Sequence, residues 1–255
     1  MKFVESPNLP ENAKIILIGE KYSNILGDKL VNIGLSPIFV PDNPCVDYRV
    51  SGHADLSVLH LGKNELVLAA YLKGSGFAEK MQDLGMEIFF SDKILGKCYP
   101  NDAALNLCIC GNKIIFNPNS ADSLIVDKLT NIRGYEKITI KQGYSKCSVC
   151  VLNENTIITS DEGIHRKAVE HGMCSLKIKP GYIDLPGFDY GFIGGAAFKI
   201  NKKTLAFTGK LDKHPDRQNI LDFTSLHNID VVYITENQLF DVGSVIQIVE
   251  KQQLP

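Results

Sequence analysis

One plan recurs five times along the chain: an apolar strand, a polar turn, a short helix and a second strand. The apolar strands fall at 13–18, 65–70, 113–116, 156–159 and 204–208. Their spacing gives a repeat of roughly 45–50 residues, within the range of repeat architectures. Each helix is predicted to stop at a residue that tolerates left-handed backbone: Gly34, Gly85, Gly134, Gly172 or Asn228. Glycine has no Cβ to clash in that conformation, and asparagine also adopts it. Ser120 and Asp161 are placed to cap helix starts, and Pro215 suits a first turn. In the third unit Leu124, Ile125, Leu129 and Ile132 form one helix face.

Closing strands are predicted at 36–40, 87–90, 137–140, 175–178 and 230–234. Four units also have a leading strand, at 56–61, 104–110, 148–152 and 196–200. Hairpin turns rich in Asn and Gly join these to the apolar strands, as at Gly111-Asn112. The first unit lacks a leading strand, and the segment 244–249 is a strand without a unit. Supplying the one to the other closes five ββαβ units into a ring and removes free sheet edges. The expected fold class is therefore α/β, an α/β propeller of five ββαβ units about a pseudo-fivefold axis. It is a single domain over 1–255, with units near 11–50 plus 244–250, 51–100, 101–143, 144–187 and 188–243. A doubly wound α/β sheet is the alternative, but it leaves the recurring hairpin unexplained.

Composition narrows the function. With 27 Lys and Arg against 29 Asp and Glu, the chain has no basic excess, so no nucleic-acid partner is expected. The first ten residues lack the basic and apolar runs of a signal peptide, and no apolar run reaches membrane-spanning length. A cytoplasmic location is expected, with the odd count of seven cysteines reduced.

Three stretches carry a specific resemblance. They are Val50-Ser51-Gly52-His53-Ala54-Asp55, Lys141-Gln142-Gly143-Tyr144-Ser145-Lys146-Cys147 and the long 179–195 segment around Leu185-Pro186-Gly187-Phe188-Asp189-Tyr190. They resemble an uncharacterised bacterial family with the pentein fold, that of the guanidino-group-modifying enzymes. Arginine deiminases, dimethylarginine hydrolases, amidinotransferases and agmatine deiminases are more distantly similar. In those enzymes a cysteine thiolate attacks the guanidinium carbon, a histidine moves protons and carboxylates hold the cation. The resemblance places the cysteine just before the last strand, where this chain reads Asp241-Val242-Gly243-Ser244-Val245. It places the histidine where this chain reads Phe188-Asp189-Tyr190-Gly191, and a substrate carboxylate at Asp55. The usual catalytic Cys and His are thus absent from their places.

In such a ring the segments leading into the hairpins line a central cavity. They hold Asp47, Arg49, His53, Asp55, Asp102, Asp184, Asp189 and Asp241, interleaved with Tyr48, Tyr99, Tyr182, Phe188, Tyr190 and Phe240. Carboxylates beside aromatic rings suit a planar cation, although aspartates also cap turns. Asp47, Arg49, Asp55, Asp102, Asp184 and Asp241 are the candidate substrate-binding residues. Cys147, His53 and Asp189 are the candidate catalytic ones. Cys147-Ser148-Val149-Cys150, set against Gly243-Ser244-Val245-Ile246, puts Cys147 at the nucleophile's place in a different unit. Lys146 and Lys141 would lower its thiol pKa, with His53 or Asp189 carrying the proton. The alternative is a buried strand cysteine.

No metal is expected from this CxxC pair, because Cys147 and Cys150 on a strand would diverge. Cys108 and Cys110 would share a face. His165 and His171 sit on the fourth helix, His214 and His227 flank the fifth, and His60 alternates with Leu59 and Leu61 as a sheet residue. Gly191 to Gly195 lacks the Gly-Lys-Ser/Thr ending of a phosphate loop. The expected function is binding of a small cationic guanidino, amidino or amine ligand in an acidic central cavity. No cofactor or membrane is implied, and no oligomeric state is set. An enzyme here would be a hydrolase or transferase acting on C–N bonds. The alternative is a non-catalytic interaction module binding ribosomes or proteins.

Overall fold

The computed structural model describes residues 1–251. The first unit holds β1 (Lys2–Phe3), β2 (Ala13–Gly19), α1 (Ser23–Asn32) and β3 (Ser36–Val40). The second holds β4 (Val58–Gly62), β5 (Glu65–Leu68), α2 (Gly76–Asp83) and β6 (Glu87–Phe90). The third comprises β7 (Cys108–Cys110), β8 (Lys113–Phe116), α3 (Ser123–Asp127) and β9 (Glu136–Thr139). A single helical turn, α4 (Ser145–Ser148), leads the fourth, followed by β10 (Val149–Asn153), β11 (Thr156–Thr159), α5 (Glu162–Glu170) and β12 (Cys174–Lys177). The fifth has β13 (Ala197–Asn201), β14 (Thr204–Phe207), α6 (Arg217–Leu226) and β15 (Asp230–Tyr233), and β16 (Ile246–Glu250) is the last strand among the described residues.

Four sheets share one design: the leading strand pairs antiparallel with the apolar strand, which pairs parallel with the closing strand. The first sheet obtains its leading strand from the far end of the chain. β16 pairs antiparallel with β2, opposing Ile246 to Leu17 and Gln247 to Ile16. β1 then covers the outer edge of β16. The helix stops fall where expected, with positive φ at Gly34, Gly85, Gly134, Gly172 and Asn228.

The core is divided among the seams between units. Leu17 and Ile248 of the first unit meet Leu66, Phe77 and Met81 of the second. Leu61 and Val67 meet Ile114, Ile125 and Leu129 across the next seam. Cys108, Cys110 and Ile115 meet Val151, Ile157 and Ile164. Cys150 and Ile158 meet Leu205, Phe207 and Ile220. Phe198 and Ala206 of the fifth unit return to Ile16, Ile18 and Leu26 of the first, so the seams run full circle. Each long helix packs over the seam with the preceding unit. Both apolar faces of a small sheet are thereby removed from water, which one unit alone cannot achieve.

Two local expectations are corrected. α3 is capped by Asp122, whose Oδ1 accepts from the Leu124 N–H at 3.0 Å, while the Ser120 hydroxyl turns back to the Asn117 carbonyl. The third leading strand begins at Cys108 rather than near 104. Its earlier backbone is diverted, because the Ala104 carbonyl accepts from Asp122 N and the Asn106 carbonyl from Ser145 N. All seven cysteines are free. No helix among the described residues is long and apolar enough to cross a membrane.

His60, 3% exposed on β4, has the structure of a neutral core histidine. Its Nε2 lies 2.9 Å from the Lys63 carbonyl, so the neutral ring donates there. Its Nδ1 is buried without a partner, so a second proton there has no acceptor. Burial accordingly lowers its pKa from 6.5 to about 4. A depressed folded-state pKa gives stability that is present above 6.5 and lost as pH falls toward 4. The loss from this group is about 3 kcal/mol at 1.36 kcal/mol per unit. His60→Gln should remove most of that acid-side loss, as read from urea midpoints between neutral pH and pH 4. Parallel midpoint curves for the two proteins would contradict the assignment.

Candidate functional site

Five segments, each just ahead of a leading strand, converge on the middle of the ring. They deliver Asp55, Asn106, Cys147, Gly195 and Ser244, two or three residues before β4, β7, β10, β13 and β16 respectively. In this register Cys147 corresponds to Ser244, one residue away from the Gly243 match read from the sequence.

Asp55 is the hub. Its Oδ2 accepts from Cys147 Sγ at 2.9 Å and from the Ser244 hydroxyl at 2.7 Å. Asn106 Nδ2 donates to Cys147 Sγ at 3.2 Å, while its Oδ1 accepts from the backbone N–H groups of Lys146 and Cys147. The Lys146 ammonium donates to the Ser244 hydroxyl at 3.3 Å. Gly195 N–H donates to the Cys147 carbonyl. Burial pushes the Asp55 carboxyl above its ordinary range, against the opposing pull of His53 and its own hydrogen bonds. Burial, followed by the Asp55 and Asp241 carboxylates, pushes the Cys147 thiol well above its ordinary value. The expectation of a thiol lowered by Lys146 and Lys141 is therefore reversed. Lys146 is directed at Ser244, and Lys141 is exposed.

Cys147 forms the base of a cavity of about 250 Å³. Val50, Leu56 and Leu185 make an apolar wall, and Tyr144, Phe192 and Tyr190 an aromatic one. The Tyr144 and Phe192 rings lie 6.2 Å apart, and Phe192 meets Tyr190 edge-on at 6.3 Å. His53 and Asp241 border the interior, and Asp189 stands exposed at the rim with Phe188. His53 is 3% exposed, and its ring is 6.3 Å from that of Tyr22. Gly243 leaves room for it. Its φ is +65°, and a Cβ there would fall 2.2 Å from the His53 side chain.

The other candidate residues have separate places. Asp241 lines the cavity but spends its carboxylate on the backbone: Oδ1 accepts from Gly243 N–H and Oδ2 from Phe192 N–H, both at 2.8 Å. Gly195 permits this approach, since a Cβ there would sit 1.9 Å from Asp241 Oδ1. Asp102 is buried beneath the wall and accepts from the Tyr144 hydroxyl at 2.5 Å. Asp47 and Arg49 pair with each other at 2.6 Å outside the cavity lining. Arg49 also donates to the Gly187 carbonyl and lies 4.3 Å over the Phe188 ring, holding the rim loop. Asp184 is exposed, joined to Phe240 through a backbone bridge. The cavity is thus more apolar than the aspartate count predicts. Asn106, Tyr144 and Ser244 are site residues that the sequence reading passed over. Aligning the five units on their leading strands would have found Asn106 and Ser244.

Asp241→Ala should leave the Phe192 and Gly243 N–H groups without acceptors. Hydrogen bonds to a charged group contribute about 1.5–3 kcal/mol each. The expected loss is about 3 kcal/mol or more in urea-unfolding stability. A midpoint unchanged from the parent would show that these contacts are not structural.

The sequence model of a family of unknown function (DUF6873) matches residues 17–246. No curated protein matches the sequence significantly. Solved structures with the pentein fold match across nearly the whole chain. The inosamine-phosphate amidinotransferase of Streptomyces griseus superimposes with a TM-score of 0.62 at 10% identity, covering 100% of this chain and 99% of its own. An amidinotransferase of the saxitoxin biosynthetic pathway from Microseira wollei gives 0.59 at 8% identity, covering 99% and 98%. The agmatine deiminase of C. jejuni gives 0.55 at 12% identity, covering 97% of both chains. At these identities the likeness establishes the shared pentein fold.

Proposed function

The chain belongs to the DUF6873 family, and we propose that it binds a small planar cation of guanidino or amidino type in the cavity above Cys147. One observation carries this reading. A cavity of about 250 Å³ has an aromatic wall, a carboxylate at its rim and a thiol at its base, in the fold of proteins named for amidino chemistry. The faces of Tyr144, Tyr190 and Phe192 attract a delocalised cation, and the Asp189 carboxylate accepts its N–H groups in pairs. The apolar wall of Val50, Leu56 and Leu185 takes the uncharged part of the ligand.

In the same reading, any reaction uses Cys147 as nucleophile and His53 as proton carrier, acting on a C–N bond. The thiol is protonated, donating to Asp55 Oδ2 at 2.9 Å. A bound cation offsets the carboxylates that raise the thiol pKa, so binding itself favours the thiolate. A second reading, a non-catalytic interaction module, is favoured by Ser244 at the place where the resemblance puts the nucleophile, together with the protonated Cys147. Thiol labelling separates the two. A nucleophile gains reactivity at Cys147 when a guanidino compound is added, whereas an interaction module does not.

Arginine, agmatine, benzamidine and simple amines should be screened by thermal shift. A binder at 100 times its Kd adds about 2.7 kcal/mol of stability. Asp189→Asn should weaken that binder about tenfold, the worth of one charge-assisted contact. The reading fails if no compound stabilises the protein at millimolar concentration, or if Asp189→Asn binds as tightly as the parent.

A further inference from the structure

We propose that the base of the cavity is a binding site for a borderline-soft divalent cation of the Zn²⁺ type. The Cys147 thiolate, the His53 imidazole and the Asp55 carboxylate would be its ligands. One ligand atom from each of the three residues lies within 4.8 Å of the other two. The residues come from two different units of the ring and are 2%, 3% and 2% exposed respectively.

Two unsatisfied atoms point to a missing partner. His53 Nε2 and Asp55 Oδ1 are both buried with no hydrogen-bond partner among the described residues. Buried polar atoms are nearly always paired, and an orphan of this kind calls for an ion or a water. A cation bound to both atoms satisfies both at once. The surrounding groups are arranged as supports for such a centre. Ser244 donates to Asp55 Oδ2, which leaves Oδ1 as the free oxygen, and Asn106 Nδ2 donates to Cys147 Sγ. Partners of this kind orient metal ligands and stabilise their charged forms.

Ligand chemistry selects the ion. One sulfur, one imidazole nitrogen and one carboxylate oxygen match zinc, whereas calcium and magnesium take oxygen sets. Bonds of 2.0–2.3 Å in a tetrahedron place ligand atoms about 3.3–3.8 Å apart. On binding, the Cys147 S–H bond breaks, its proton leaves to solvent, and the sulfur lone pair forms the bond to the metal without any change of oxidation state. Thiolate and carboxylate then neutralise the two positive charges, so the buried centre carries no net charge. Three protein ligands leave the fourth position open toward the cavity, the pattern of reactive rather than structural zinc sites.

This inference goes beyond the cation-binding reading and does not need it, because a neutral centre leaves Asp189 free at the rim. Chelator-treated protein should be titrated with Co²⁺ and followed by absorption. The expected result is one equivalent bound, with tetrahedral visible bands and a thiolate-to-cobalt charge-transfer band, all displaced by Zn²⁺. The variant C45S/C98S/C174S, which removes the partly exposed and exposed cysteines, should keep the charge-transfer band. Cys147→Ser should abolish it, and His53→Gln and Asp55→Asn should each weaken cobalt binding at least tenfold. Circular dichroism of the metal-free variants checks that they fold. No charge-transfer band in the parent chain overturns the proposal without recourse to any variant, as does a band that survives Cys147→Ser but is lost with the other three cysteines. Guanidino thermal shifts on the chelator-treated protein separate this outcome from that of the preceding reading.

Discussion

β16 hydrogen-bonds antiparallel to β2, and this one pairing brings the chain's distant ends into the same sheet. It gives the first unit the leading strand that its own sequence lacks. It also completes the fifth seam, where Val245 joins Phe198, Ala206 and Ile16. The same closure carries Asp241, Gly243 and Ser244 to the centre, beside residues nearly two hundred positions earlier. Asp55 N–H donates to the Gly243 carbonyl, and the Ser244 hydroxyl donates to the Asp55 carboxylate. The site therefore exists only in the closed ring.

The five units are alike in backbone and unlike in what they deliver. At one equivalent position they supply a carboxylate, an amide, a thiol, a glycine and a hydroxyl. Four buried polar groups in contact must satisfy one another, since a buried group left unpaired costs about 1–3 kcal/mol. Cys147, Asn106, Asp55, Ser244 and Lys146 form one connected hydrogen-bond network. His53 Nε2 and Asp55 Oδ1 are the atoms at this centre left buried without a partner among the described residues. Glycine at the remaining position lets Asp241 approach and pin the Phe192 and Gly243 backbones. The aromatic wall and the floor of the cavity are thus fixed by the same central packing.

The architecture was largely legible because its signals are local. Apolar strands, helix stops and hairpin turns depend on residue type and short spacing, and the unpaired strand at 244–249 implied closure. The site was less legible, because side-chain direction is set by tertiary contacts. Lys146 is adjacent to Cys147 in sequence, yet its ammonium goes to Ser244. Asp241 has the composition of a ligand group but satisfies two backbone N–H groups. Asp47 and Arg49 satisfy each other. The sequence match set Cys147 against Gly243 instead of Ser244 because it aligned Ser148-Val149 with Ser244-Val245, whereas β10 begins at Val149 and β16 only at Ile246. Asp122 outcompeted Ser120 as a cap for a similar reason: the Ser120 hydroxyl had a carbonyl of its own to reach.

The closing strand has a consequence for biosynthesis. The ribosome makes β2 long before β16, so the leading-side edge of β2 has no native partner until residues 246–250 emerge. Over most of translation the nascent chain presents an unpaired apolar strand edge, the kind of surface that recruits chaperones or captures a neighbouring chain. The residues that end this exposure also bring Ser244 to the site, so closure of the ring and completion of the site coincide.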